Sequence, residues 1–485
     1  MLKNDLVKKL ILIVGKDYVL YKKEDLLTYE YDGSIDKNEP FLVVAPKNEK
    51  EVSQILKLCF ENNIPVMPRG AGTSLSGGAI PLEKSISLTM SRLNKIIDID
   101  PINKIATVEP GVVNIDLSIE ASKYNLYYAP DPSSQKVCTI GGNVAENAGG
   151  PHCLSAGVTT NHVLGLEIVS INGNIAWIGG QTNENPGYDL RSIFIGSEGT
   201  LGITTKICVK LQDTPKHYYT IAASFNSMDE ACDTTTEIIG KGIIPGALEI
   251  MDRTTLDAVE PVYNPGYNPE TKAVLIVEVE GFKEDIEEQI SIIKNICTYN
   301  HSTDIRTAND PKSREELWKI RKDAIGAMGV LAPNYYLVDG VVPRTKLKEV
   351  MQKIDNISHE FNLTIANVFH AGDGNLHPCI LFDERKKGDV QKVIEAGGQI
   401  LKICVDAGGA LSGEHGIGIE KQSYLPWVYS PEDIDMMQKT VDAFTLDTRL
   451  LNPGKIFPPK IPFHGSAFGA QNNIVINKTG GNEII

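Results

Sequence analysis

Apolar runs of strand length alternate with helix-period stripes along the first 210 residues. Residues 41–45 form a short apolar run stopped by Pro46. Asn48 and Glu51 then make a capping-box pattern, and Val52, Ile55, Leu56, Cys59 and Phe60 fall on one helical face. Asn62 and Asn63 close that helix, and residues 64–67 predict the next strand, so the first clear unit is β-α-β. Strands are also predicted at 85–90 and 203–211, with hairpins at 96–99/105–108 and at 163–171/174–178. The second hairpin turns on Asn172-Gly173, a pair suited to a type I′ turn. A helix is expected at about 114–124.

Beyond residue 215 the pattern changes to repeated strand–helix–strand units: 220–224, 228–239 and 247–250; 273–279 and 283–298; 336–342, 346–361 and 364–368. This predicts an α+β fold whose second part is an antiparallel sheet covered by helices on one face. The expected division is 1–215, 216–460, and a loose Gly/Asn/Ser-rich tail at 461–485.

Composition narrows the class. A chain of 485 residues with 42% hydrophobic and 22% charged positions has material for two cored domains. A net charge of −15 argues against direct binding of nucleic acid or anionic lipid. Apolar runs are too short for a membrane span, and the N-terminal lysines lack a signal-peptide cleavage pattern. Eight cysteines stand singly, which fits reduced thiols in a cytoplasm and excludes a self-contained iron–sulfur cluster of ordinary spacing.

Candidate chemistry begins at PRGAGTSLSGG, residues 68–78, directly after a predicted strand. Such a loop can turn successive backbone N–H groups toward one anion. It is neither a Walker A loop, lacking Gly-Lys-Ser/Thr, nor a Rossmann fingerprint, because Leu75 holds the place of the third glycine. Two more small-residue regions follow, TIGGNVAENAGGP at 139–151 and GSEGTLG at 196–202. Three separated loops of this kind fit an extended dinucleotide gripped at several points. In this order they resemble the FAD-binding domain of the vanillyl-alcohol-oxidase/PCMH flavoprotein superfamily. The resemblance implies a PCMH-type domain in which Pro68, Arg69, Gly70, Ala71, Gly72, Thr73, Ser74 and Gly77 hold the pyrophosphate. It extends the cofactor set to Pro130, Ser133, Thr139, Gly141, Gly142, Asn143, Ala148, Gly149 and Gly150. Glu198, Gly199, Gly202, Ile203 and Asn452 complete it. Thr73 stands where relatives with covalent flavin carry a histidine, which implies noncovalent FAD.

A second cluster is NVFHAGDGNLHPCILF, residues 367–382. Asp373-Gly374 predicts a two-residue hairpin turn, which would set His370 opposite His377 with Cβ atoms ~5 Å apart. Two imidazoles on one face can chelate a divalent metal, although a histidine pair is also common without one. LSGEHGIG at 411–418 adds Glu414 and His415 between glycines. In extended backbone these two would face opposite sides and serve different partners. Two histidines and a carboxylate leave metal positions open for substrate, and zinc and manganese are both compatible.

HAGDGNLH followed by GEHGIG resembles the FAD-linked D-2-hydroxy-acid dehydrogenases acting on D-lactate, D-2-hydroxyglutarate and glycolate. The resemblance implies His370, His377 and Glu414 as metal ligands, His415 as base, and Arg321 of LWKIR as the anchor of the substrate carboxylate. Ile325 stands where the hydroxyglutarate enzymes place a threonine. ALEIMD (247–252), NYYLVDGVVPR (334–344) and LNPGK (451–455) are similar to the FAD subunits of bacterial glycolate oxidases. The implied activity is oxidation of glycolate to glyoxylate, with D-lactate or another D-2-hydroxy acid as the alternative. A second flavin-fold subunit and an iron–sulfur subunit are the implied partners, reaching the inner face of the membrane only through them. A non-catalytic flavin-fold subunit and an ether-lipid synthase relative remain open readings.

Overall fold

The computed structural model describes residues 3–82, 84–182 and 187–458; the tail expected at 461–485 lies outside them. The described chain divides into two compact units. One comprises the residues up to Gly149, Val158–Asp213 and the chain from Glu414 onward; the other comprises Gly150–Gly157 and Thr214–Gly413. This partition differs from a cut near residue 215, because residues 414–458 pack with the N-terminal part of the chain.

The first unit holds two main sheets. Leu42–Val44, Ile86–Thr89 and Val66–Arg69 run parallel, with Val19–Leu20 antiparallel at the edge. Helix Glu49–Glu61 starts as its sequence requires, with the Asn48 side chain accepting from the Glu51 N–H at 2.9 Å. Its Val52, Ile55, Leu56 and Cys59 are fully buried against the parallel strands. The second sheet is antiparallel, in the order Ile96–Asp100, Ile105–Val108, Ile203–Lys210, Val163–Val169, Ile175–Gly179. Its last hairpin pairs Val169 with Ile175, so the connection is Ser170–Asn174, longer than a two-residue Asn-Gly turn. Gly173 supplies the left-handed residue that closes it, at φ +86°.

Most of the TIGGNVAENAGGP region is not a loop. Ile140–Glu146 is a helix whose N-cap, Thr139, accepts from the Gly142 N–H at 3.2 Å. Gly141 is glycine because a Cβ there would lie 2.5 Å from the ring of Pro110.

The second unit is built on one antiparallel sheet. Its strands run Asp304–Ala308, His217–Phe225, Ala273–Gly281, Ala247–Asp252 and Thr364–His370, then Asn375–Leu376 and Gly340–Val341. Pro378–Phe382 and Asn334–Leu337 extend it beside Thr364–His370. Helices Met228–Gly240, Lys283–Tyr299, Leu347–Phe361 and Asp389–Asp406 pack on the sheet and on one another. Helices Arg253–Tyr263 and Pro311–Ala327 form a separate pair that also meets the strands. The strand–helix–strand reading of this half therefore describes an α+β unit. Among the described residues no helix is long and apolar enough to cross a membrane.

Candidate active site

In the first unit the three small-residue segments meet. Gly70 has no room for a side chain, since a Cβ would sit 2.5 Å from Thr139 Oγ1, and one on Gly199 would sit 2.4 Å from Pro68. The 68–78 loop has two unlike halves. Ser76 to Ile80 are buried and bonded: Lys455 Nζ donates to Gly77 O at 2.6 Å and Ile80 O at 2.7 Å, and the Ile419 N–H donates to Ser76 O at 2.9 Å. Ala71 to Leu75 keep solvent access. Among the described residues the backbone N–H groups of Ala71 to Ser74 donate to no protein acceptor. Four consecutive donors held beside a rigid half-loop fit a pyrophosphate.

Several expected cofactor residues spend their side chains on the protein. Arg69 is buried and donates to Ala79 O at 3.2 Å and Tyr31 O at 2.8 Å. Asn452 Nδ2 straps Gly78 O at 3.2 Å to Glu198 O at 2.6 Å. The Glu198 carboxylate accepts from the N–H groups of Ile417 at 2.8 Å and Gly418 at 2.9 Å. Asn143 Oδ1 accepts from Asn114 Nδ2, which also reaches Pro130 O. These residues shape the cradle. Ser133 lies exposed in a turn, and Gly150 opens the short excursion into the second unit. Burial pushes Glu198 up, and burial together with Glu198 pushes Glu146 well above the usual carboxylate range. Burial pulls the Lys455 ammonium down to about 8.

In the second unit the hairpin holds both histidines, in a different register from the one its sequence suggests. His370 pairs with Asn375, and Asn367 with Pro378, so four residues, Ala371 to Gly374, make the turn. Gly374 takes φ +81°, and a Cβ there would lie 2.0 Å from Val342 O. His377 therefore stands diagonal to His370 rather than opposite. The shift is by two residues, which keeps both side chains on one face. The two rings are buried, with centroids 5.0 Å apart and planes at 80°.

Three further side chains complete this cluster. Glu249, on Ala247–Asp252, pairs with His370 across the sheet, and its carboxylate lies 2.8 and 3.0 Å from His370 Nδ1. Arg321, on Pro311–Ala327, is buried rather than a surface charge; its Nε donates to Glu249 Oε2 at 2.7 Å. Asp339 lies 3.7 Å from His377 Nε2 and accepts from Ser412 Oγ at 2.6 Å and the Gly413 N–H at 3.0 Å. The sequence reading singled out neither Glu249 nor Asp339. Glu249 falls inside ALEIMD and Asp339 inside LVDG, each an acid directly flanked by apolar residues on at least one side, which is the signal that could have found them.

Glu414 and His415 are the next two residues along the chain and open the last segment of the first unit. Their side chains do not diverge: His415 Nε2 lies 3.5 Å from Glu414 Oε1. The segment bends and Gly416 takes φ +80°, so the alternation rule for extended strands does not apply. Ser76 Oγ donates to His415 O at 2.7 Å, which ties this pair to the glycine loop within the first unit.

Comparison with known proteins agrees with both halves of this description. Residues 40–179 match the model of an FAD binding domain, and residues 214–456 match that of the FAD linked oxidases, C-terminal domain. Glycolate oxidase subunit GlcD of Escherichia coli (strain K12) is 44% identical over 441 residues, covering 91% of this chain and 88% of that protein. The same-named subunit of Bacillus subtilis (strain 168) is 38% identical, covering 94% and 97%. A D-lactate dehydrogenase of Archaeoglobus fulgidus is 34% identical, covering 86% and 91%. Among solved structures, p-cresol methylhydroxylase with substrate bound is similar in fold, with a TM-score of 0.78 at 17% identity, covering 93% of this chain and 96% of that one. The chain belongs to the FAD-linked oxidases, with a PCMH-type FAD-binding domain and an FAD-linked oxidase C-terminal domain.

Proposed function

We propose that this protein oxidises a small 2-hydroxy acid, glycolate to glyoxylate, with noncovalent FAD and a divalent metal, zinc or manganese. The observation that carries the reading is the buried imidazole pair His370 and His377, one ring held at Nδ1 by a carboxylate, in a chain 44% identical to a glycolate oxidase subunit. When bound, FAD supplies the acceptor for the hydrogen and electron pair leaving the substrate carbon, and the metal supplies a Lewis acid at the substrate oxygen.

The chain's own residues do the rest. Because Glu249 can only accept at His370 Nδ1, the neutral ring presents its lone pair at Nε2, a suitable metal donor. His377 provides the second imidazole, and Glu414, one peptide bond beyond Asp339-anchored Gly413, provides the carboxylate. Neutral His415 accepts the proton of the substrate hydroxyl. Glu249 occupies the Nε–Nη2 edge of Arg321, leaving the Nη1–Nη2 edge for a substrate carboxylate. Ile325, one turn beyond Arg321 on the same helix, offers hydrocarbon where a longer diacid would need a polar partner, which favours a small substrate.

Thr73 in place of a linking histidine supports noncovalent flavin. Electrons then pass to a partner iron–sulfur subunit beside a second flavin-fold subunit, at the cytoplasmic face of the membrane. D-lactate is the competing substrate, on the strength of the 34% identical D-lactate dehydrogenase. The test is anaerobic mixing of the purified yellow protein with glycolate, D-lactate, L-lactate and D-2-hydroxyglutarate in turn. Glycolate should bleach the flavin fastest. A flavin- and metal-replete protein that none of the four bleaches would be the non-catalytic subunit of such a complex.

A further inference from the structure

Glu249 touches two members of the proposed site at once, His370 and Arg321. It is fully buried, and so is the Arg321 it pairs with, at 0% and 1% exposure. His370 Nδ1 lies 2.8 Å from one carboxylate oxygen and 3.0 Å from the other. Arg321 approaches the second oxygen with Nε at 2.7 Å and Nη2 at 2.5 Å. The His370 imidazole and the Arg321 guanidinium therefore converge on one acceptor group from two directions, with Nδ1 and Nε as the hydrogen-bonding atoms.

Only a carboxylate satisfies that arrangement. A glutamine of the same size has one acceptor oxygen and an NH2, so one of its ends would set donor against donor. Either the imidazole N–H or the guanidinium would then lose its partner in a buried place, where an unmade bond to a charged group is costly. The location is also specific. Glu249 lies opposite His370 by strand register, and Arg321 reaches it from the helix Pro311–Ala327.

We propose that Glu249 is a positioning residue that fixes the His370 tautomer and the Arg321 orientation together, so that divalent-metal affinity and carboxylate affinity are coupled through one side chain. The proposal rests on the reading of His370 as a metal ligand and Arg321 as a carboxylate anchor. It adds that neither group is set independently. A carboxylate behind a ligating imidazole typically accounts for 10–100-fold in metal affinity.

The test uses flavin-loaded protein stripped of divalent metal. Zn2+ alone is titrated calorimetrically, and oxalate, a two-carbon diacid with no C–H to give up, is titrated by its perturbation of the flavin spectrum. Glu249→Gln should weaken Zn2+ about 10–100-fold. It should weaken oxalate at least about tenfold, a loss of roughly 1.4 kcal/mol or more, with unchanged FAD content. Because Glu249→Gln strands the Arg321 charge and can impair folding, the double variant Glu249→Gln/Arg321→Met is measured beside it. That variant has no buried unpaired charge and should still bind Zn2+ about tenfold more weakly, with the His370 tautomer no longer fixed. Variants that melt at lower temperature but bind Zn2+ and oxalate as the wild type does would reduce Glu249 to a structural ion-pair partner and overturn the proposal. A wild-type protein that takes up no Zn2+ would remove the metal reading, and this coupling with it. Wild-type binding matched by the variants removes the coupling alone.

Discussion

At the scale of single residues, the two histidines and the Glu414-His415 pair could be picked out as candidates because small polar motifs flanked by glycine stand out against apolar strands. The acids behind them could not. Glu249 and Asp339 gain their meaning from partners 121 and 38 positions away, His370 and His377, and no local pattern encodes such a pairing. Arg321 was legible in place but not in environment: an arginine on a helix is usually a solvated charge, and here a buried carboxylate takes one edge of it. The residue whose role is most exposed to test is His415. Replacing it with Asn keeps size and polarity but removes the proton acceptor, so anaerobic flavin reduction by glycolate should slow ~10²–10⁴-fold. FAD and metal contents should stay near wild type. Reduction within threefold of the wild-type rate would move the base elsewhere.

At the scale of elements, helix starts and apolar faces followed from sequence because capping and periodicity are local. Asn48 caps its helix as the sequence suggested, whereas Ser227 and Ser430 also cap the helices that follow them without having been singled out, and the helix Pro431–Thr445 was not read from sequence. Turns were read less well. Asp373-Gly374 looks like a two-residue turn, but the chain uses four residues and pairs His370 with Asn375, since Gly374 must pass against the Val342 carbonyl. The two histidines still share a face because the slip is even; a slip of one would have turned them apart. This hairpin should therefore tolerate nothing larger at its tip. Gly374→Ala places a Cβ in the left-handed region and 2.0 Å from a backbone oxygen. It should lower the melting midpoint by roughly 5 °C or more and reduce zinc uptake. A variant that melts and binds zinc like the wild type would mean the turn has another conformation.

At the scale of the whole molecule, the two-part organisation was legible from the change in pattern near residue 215, whereas the return of the chain from Glu414 onward was not. Family similarity runs unbroken from 214 to 456, while contacts assign 414–458 to the first unit. The cause lies in long-range polar bonds: Lys455 to Gly77 and Ile80, Asn452 to Gly78, and Ile419 to Ser76. Buried lysine and asparagine give no periodic signal. The segment carrying Glu414 and His415 follows Gly413 directly in the chain and is bonded to the glycine loop within the first unit. Under the proposed function, metal and flavin serve one reaction. The most direct measurement is anaerobic flavin reduction by glycolate in wild-type protein stripped of divalent metal and then reloaded with zinc or manganese. The stripped protein should keep its FAD and stay yellow with glycolate, and reloading should restore bleaching. A stripped protein that glycolate bleaches at the reloaded rate would contradict it.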